Sequence, residues 1–244
     1  TELTRIALDT RRGFVWDRAR PPYPGILQFQ ETDAAIYFGR DDDIRELIGR
    51  LNAARVHGSS RVVILHGPSG AGKSSLLRAG VVPRLKQDQR NWIVLSPFAA
   101  KSTPLTQLAQ ALAVACASSR TVDSIRTVLS GNDPSDQFAQ IVSDLRMTSG
   151  ANEAILFVSI DQGEQLFAAD SGAETRQLWR LLRLMASKDL PVIVLIAARS
   201  DYLPRFQREL APMVEYALKP MPLERIRDII EGPARVAGLT IEPA

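Results

Sequence analysis

Eight residues limit what this chain can fold into more than any others. Gly67-Pro68-Ser69-Gly70-Ala71-Gly72-Lys73-Ser74 fit the pattern G-x-x-x-x-G-K-[ST], the Walker A phosphate loop. A phosphate chain needs backbone N–H groups converging on its oxygens, and only a glycine-rich segment turns tightly enough to supply them. The helix after such a loop adds free N–H groups and its positive end. In this arrangement Lys73 faces the β- and γ-phosphates, Ser74 places its hydroxyl on Mg²⁺, and Ser75 reaches the α-phosphate. The chemistry requires a strand before the loop and a helix after it. Both are legible: Arg61-Val62-Val63-Ile64-Leu65-His66 reads as a buried strand and residues 73–87 as a helix. The plainer alternative is a Gly-rich turn joining a strand to a helix.

The alternation continues along the chain. Continuous apolar runs predict strands at Trp92 to Leu95, Ala154 to Ile160, Val192 to Ala197 and Val214 to Leu218. A helix is predicted from Asp41, with Ile44, Leu47, Ile48 and Leu51 on one stripe and His57-Gly58-Ser59-Ser60 ending it. Further helices are predicted at 104–117, 121–130 and 135–147, around Leu178, Leu181, Leu182 and Met185, and around Leu223, Ile226, Ile229 and Ile230. Apolar strands separated by helices predict an α/β fold of three layers, a parallel sheet covered on both faces. Residues 1–30, with Pro21-Pro22-Tyr23-Pro24-Gly25, resist helix formation and read as a connector from an upstream effector domain. Residues 31–220 form the core of the predicted domain, and 221–244 read as the start of a C-terminal lid. The missing initiator Met and the abrupt end suggest a piece of a longer protein. Phe14 and Trp16 read either as part of the connector or as a hydrophobic clip onto this domain, which we favour.

Composition removes several classes. With 244 residues the chain can bury a core without staples. The single cysteine, Cys116, cannot form an internal disulfide, and it and the two histidines, His57 and His66, leave little for a cysteine or histidine metal centre. Cys116 reads as core and His66 as a strand-end residue. A net charge of +3 over this length is a weak argument for nucleic acid. No apolar run approaches the ~18 residues of a membrane span, and no signal-peptide core opens the chain, so a cytoplasmic location is expected.

A phosphate loop needs a carboxylate to hold the Mg²⁺ water shell from the end of a neighbouring strand. Asp161 follows seven largely apolar residues and takes that role, Walker B; the alternative is a helix N-cap after a strand. Many such ATPases carry Glu next. Here the position is Gln162, which cannot take a proton from water, and Glu164 is the nearest acid. Glu164 is therefore the candidate water-polarising group, the alternative being a surface carboxylate, and slow hydrolysis is expected. Arg199, at the end of the fourth strand, stands where it would read the γ-phosphate; its alternative is a cap pair with Asp201. Arg176, Arg180 and Arg183 read as a solvated helix face, with a subunit contact or a trans arginine finger as the rarer reading. No Asn-Lys-x-Asp and no Asp-x-x-Gly after the third strand occur, which argues against a Ras-type GTPase.

Together these parts resemble the STAND NTPases, and more narrowly the bacterial-type novel STAND group. The resemblance rests on Pro22-Tyr23-Pro24-Gly25-Ile26, Phe38-Gly39-Arg40, the phosphate loop followed by Leu76-Leu77-Arg78-Ala79-Gly80, Asp161-Gln162-x-Glu164, Arg199-Ser200-Asp201-Tyr202, Pro222-Leu223 and Glu231-Gly232-Pro233-Ala234. It covers about residues 20–240. It implies a P-loop NTPase of the ASCE, AAA+-like type, with a five-stranded parallel sheet in the order 5-1-4-3-2. It implies ATP/ADP and Mg²⁺ as ligands, with the backbone of Phe38, Gly39 and Arg40 against adenine. It also implies a switch in which exchange of ADP for ATP controls homo-oligomerisation and activates an N-terminal effector, with a C-terminal sensor. The family often has Asp-Gln-Phe-Glu-Glu where this chain has Asp161-Gln162-Gly163-Glu164-Gln165, which implies fewer candidate bases and a looser turn. The chain also ends before the lid that usually grips ADP, which implies weaker nucleotide binding by this piece. The competing expectations are a motor or loader ATPase acting on DNA or protein, and a non-catalytic scaffold with a vestigial loop.

Overall fold

The computed structural model describes residues 16–17, 20–58, 60–101, 103–117, 119–168, 172–186 and 190–241. The helix begun by Asp41-Asp42-Asp43 is α1 (Asp41–His57), closed by Gly58 in the left-handed region. β1 (Val62–Gly67) runs into the phosphate loop. The helix after the loop, α2, starts as α-helix over Lys73–Ser75, is π-helical over Leu76–Val81 and returns to α over Val82–Gln87. Pro83 accounts for part of this interruption, since it has no N–H to return to Ala79. The buried guanidinium of Arg84 compensates by donating to the carbonyls of Ala79 (3.2 Å) and Gly80 (2.6 Å).

Next come β2 (Trp92–Val94), β3 (Phe98–Ala99), α3 (Pro104–Ala115), α4 (Val122–Ser130), α5 (Ser135–Thr148) and β4 (Ile155–Asp161). The chain continues through α6 (Ala173–Ala186), β5 (Val192–Arg199), α7 (Leu203–Leu210), β6 (Val214–Ala217) and α8 (Ile226–Ala237). All pairings are parallel, in the order β2-β4-β5-β1-β6, with β3 also on β4. The expected second strand, Trp92 to Leu95, is observed over Trp92–Val94, and the unexpected piece Phe98–Ala99 follows it on the same partner, giving six strands among the described residues. Taken as one, these two pieces restore the order 5-1-4-3-2. The break falls at Leu95 to Pro97, where Pro97 cannot donate to a ladder.

Burial follows the pleat. Leu156, Val158 and Ile160 of β4 join Val194 and Ile196 of β5 under α3 to α7, while Phe157, Ile193 and Leu195 face α1 and α2. Cys116 lies in the first of these cores, 3% exposed, and burial pushes its thiol up. Trp16 is buried and its indole N–H donates to the Arg20 carbonyl; Phe14 lies outside the described residues. Arg180 donates to the Gly131 carbonyl and Arg183 pairs with Glu209 on an exposed face of α6. Among the described residues, no helix is long and apolar enough to cross a membrane.

Candidate nucleotide-binding site

The register brings Gly67 of β1 beside Arg199 of β5, and β4 on the other side of β5 ends at Asp161. Three neighbouring strands therefore deliver the phosphate loop, a carboxylate and an arginine to one sheet edge, where ligands of open α/β sheets bind. The loop turns through Gly70 and Gly72, at φ +77° and +91°. The ammonium of Lys73 donates to the carbonyls of Gly67 (3.0 Å) and Pro68 (2.9 Å). Partial burial lowers its pKa, and the nearby Glu164 and Asp161 oppose the shift.

Asp161 is 3% exposed. Its Oδ1 accepts the Ser74 hydroxyl at 2.8 Å and the Gln162 N–H at 3.0 Å, and its Oδ2 faces Arg78 Nε at 3.4 Å. One hydroxyl and one carboxylate side by side at a phosphate loop suit Mg²⁺, which takes few protein ligands and fills its octahedron with phosphate oxygens and water. Ser74 and Asp161 are the residues that would hold it.

After Asp161 the chain makes a sharp turn. Gln162 is left-handed (φ 53°, ψ 44°), a conformation a non-glycine residue adopts at a cost. Gly163 then enters a 3₁₀ turn over Gly163–Phe167. The looser turn expected from a glycine here is corrected by the structure. A Cβ on Gly163 would lie 2.3 Å from Ile196 Cγ2 and 3.2 Å from the tip of the Phe206 ring. The turn is pressed against β5 and α7, and Phe167, Trp179, Tyr202 and Phe206 fill the space beside it as one aromatic cluster. The tight turn carries Glu164 back to the site, where Oε2 accepts the Arg199 N–H at 3.3 Å. The Arg199 guanidinium makes two 3.0 Å bonds to Asp201, which raise its own pKa and lower that of Asp201. The cap pair weighed in the sequence is thus present, on an exposed side chain that still borders the site.

A cavity of about 310 Å³ gathers Ser69, Gly70, Gly72, Lys73, Ser74, Ser75, Asp161, Gln162, Glu164 and Arg199. The rest of its lining is Ala197 of β5 and a wall not expected from the sequence, Ile26, Leu27 and Gln28 of the segment read as a connector. Phe29 N–H donates to Ser75 Oγ at 3.2 Å, and the Tyr23 hydroxyl donates to the Ile230 carbonyl. Ser75 keeps its own proton to donate. The signal that could have found this wall is the apolar pair Ile26-Leu27 directly after a Pro-fixed turn.

The other expected nucleotide contacts, Phe38, Gly39, Arg40, Pro68 and Ala71, do not line this cavity. Pro68 and Ala71 complete the loop. The Phe38 ring packs on α8 where Gly232 leaves room, since a Cβ there would meet ring carbons at 2.5–2.7 Å. Gly39, at φ +82°, faces Ile229 of the same helix. Arg40 is buried and its side chain turns toward the phosphate loop. His66, next to last in β1, has Nδ1 3.1 Å from Ser200 Oγ, and burial lowers its pKa.

This fold and this loop define a P-loop NTPase domain. A model of the Novel STAND NTPase 1 family matches residues 22–244, and the chain belongs to that family. No curated protein matches it significantly. Among solved structures it is similar to the Walker-type ATPase of Pyrococcus abyssi, with 18% identity, a TM-score of 0.54 and coverage of 89% of this chain and 63% of that one. It is also similar to the Aeropyrum pernix ORC2 protein in its ADP form, with 18% identity, a TM-score of 0.55 and coverage of 95% and 56%. The chain therefore spans less than two thirds of the length of these structures. At such identities the likeness shows the fold alone.

Proposed function

We propose that this chain is the nucleotide-dependent switch of a STAND signalling protein: it binds ADP and ATP with Mg²⁺, and their exchange controls homo-oligomerisation and activation of a linked effector. The observation that carries this reading is the 2.8 Å bond between Ser74 Oγ and Asp161 Oδ1, beside Lys73, in one cavity at a sheet edge. In this reading the loop N–H groups and Lys73 hold the phosphates, Ser74 and Asp161 hold Mg²⁺, Glu164 polarises the attacking water, and Arg199 leaves Asp201 to meet the γ-phosphate. Mg²⁺, when bound, neutralises charge on the β- and γ-phosphates. In this reading it is the backbone of Phe38, Gly39 and Arg40 that meets the base. Residues 1–30 connect to an effector, 31–220 form the nucleotide core, and 221–244 begin a lid leading to a sensor, in a cytoplasmic protein.

Hydrolysis in this reading is slow because Gln162 holds the place where a base would stand next to Asp161. Glu164→Gln is expected to lower steady-state ATP turnover about a hundredfold with ADP affinity unchanged, and Gln162→Glu to raise turnover about tenfold. Phosphate release assayed under saturating Mg²⁺-ATP checks both. Undiminished turnover in Glu164→Gln would remove Glu164 from the chemistry. Nucleotide-dependent assembly is checked by light scattering of the full-length protein with ADP or a non-hydrolysable ATP analogue. Identical masses in the two states would contradict the switch.

A further inference from the structure

We propose that the guanidinium of Arg40 is a positioning group for the phosphate loop, and that it sets affinity for the diphosphate portion of a nucleotide, not the choice of base. This rests on the reading of the loop as a nucleotide site. A loop that aims its N–H groups at phosphate must aim its carbonyls outward, and those carbonyls need donors behind the loop. Arg40 supplies one. Its Nη2 donates to the Ala71 carbonyl at 2.9 Å, and Ala71 lies between the two left-handed glycines of the loop. Its Nη1 donates to the Lys219 carbonyl just beyond β6 and to Asp43 Oδ2, both at 3.0 Å. The Tyr216 hydroxyl donates to the other oxygen of Asp43 at 2.6 Å, a bond that Arg40 itself does not share.

Arg40 is 4% exposed, so it does not act as a surface cation. It ties the start of α1, the end of β6 and the middle of the phosphate loop through one rigid, planar group. Lysine has a single donor centre and cannot reproduce this fork. A charge-assisted bond of this kind is worth a factor of roughly ten to a hundred in an equilibrium constant. Its loss is expected at the loop, because the Ala71 carbonyl would then be free to rotate and take the adjoining N–H groups with it.

The test is calorimetric titration of Mg²⁺-ADP, Mg²⁺-CDP and Mg²⁺-pyrophosphate into the chain and its Arg40→Lys, Arg40→Gln and Tyr216→Phe variants, with melting temperatures alongside. Arg40→Lys is expected to lose about tenfold in affinity for all three ligands by one common factor, leaving the ADP to CDP ratio unchanged. Tyr216→Phe, which loosens the same network without touching the loop, is expected to lower the melting temperature with little change in pyrophosphate binding. Should Arg40→Gln not fold, Arg40→Lys retains the charge and carries the test. Unchanged pyrophosphate affinity beside weakened ADP binding would place Arg40 at the base and overturn the proposal. An equal loss in Tyr216→Phe would reduce Arg40 to general stability and also overturn it. A wild-type chain that binds none of the three ligands would defeat the nucleotide reading itself, and this proposal with it.

Discussion

Replacing Lys73 by Ala is expected to weaken Mg²⁺-ADP binding at least a hundredfold, about 3 kcal/mol, while leaving the fold intact. The ammonium sits at the start of α2 and is held by two loop carbonyls, 2.9 and 3.0 Å away, so it is delivered to the loop without needing to search for it. Among the described residues it is the one lysine lining the cavity, where it faces the carboxylates of Asp161 and Glu164. Removing it leaves those two negative charges opposite an incoming polyphosphate with less to offset them. The side chain is half-buried and bonded to the carbonyls of Gly67, at the end of β1, and of exposed Pro68, both of which keep their backbone course without it, so thermal stability should move by only a few degrees. Fluorescence titration with a labelled ADP, together with a melting curve, checks both parts. Binding that survives the substitution would mean the loop does not hold phosphate, and would favour a scaffold with a vestigial motif.

Gly163→Phe is expected to destabilise the chain by about 3 kcal/mol, near the upper end for overpacking, and to lower its melting temperature by roughly 10 °C. This substitution would bring the chain closer to the pattern it resembles, so a sequence argument alone would count it harmless. The packing says otherwise: a Cβ at 163 would lie 2.3 Å from Ile196 Cγ2, and β5 at that point is buried between two layers. The aromatic ring that such a residue would bring is already supplied nearby by Phe167 and Phe206, whose centroids are 4.8 Å apart. Relief requires the turn to lift off β5, and Glu164 would leave the Arg199 N–H with it. Calorimetry and ATP turnover should therefore fall together. An unchanged melting temperature would show that the turn is as loose as its glycine suggests.

These two residues mark what could and could not be read from the chain. The phosphate loop, its flanking strand and helix, and the layered parallel sheet were legible because each depends on local pattern: glycine spacing, apolar runs, helical stripes. Asp161 was legible as an acid after an apolar strand, although that pattern alone does not separate a metal ligand from a helix cap. What was hidden depends on contacts between distant segments. Nothing near Gly163 in the sequence announces Ile196 and Phe206 pressing on it. The split of the second strand turns on where Pro97 falls against β4. The π-helical stretch in α2 needs Arg84 to be seen returning to Ala79 and Gly80. Arg40 shows the same limit, because its backbone was expected at the base whereas its side chain reaches the carbonyls of Ala71 and Lys219.

The most direct test of the central claim is the nucleotide recovered by chromatography when the freshly purified chain, preincubated with Mg²⁺-ADP and freed of excess, is denatured. The account predicts about one ADP per chain, held by the loop N–H groups and Lys73. A chain that yields no nucleotide after that preincubation would contradict it.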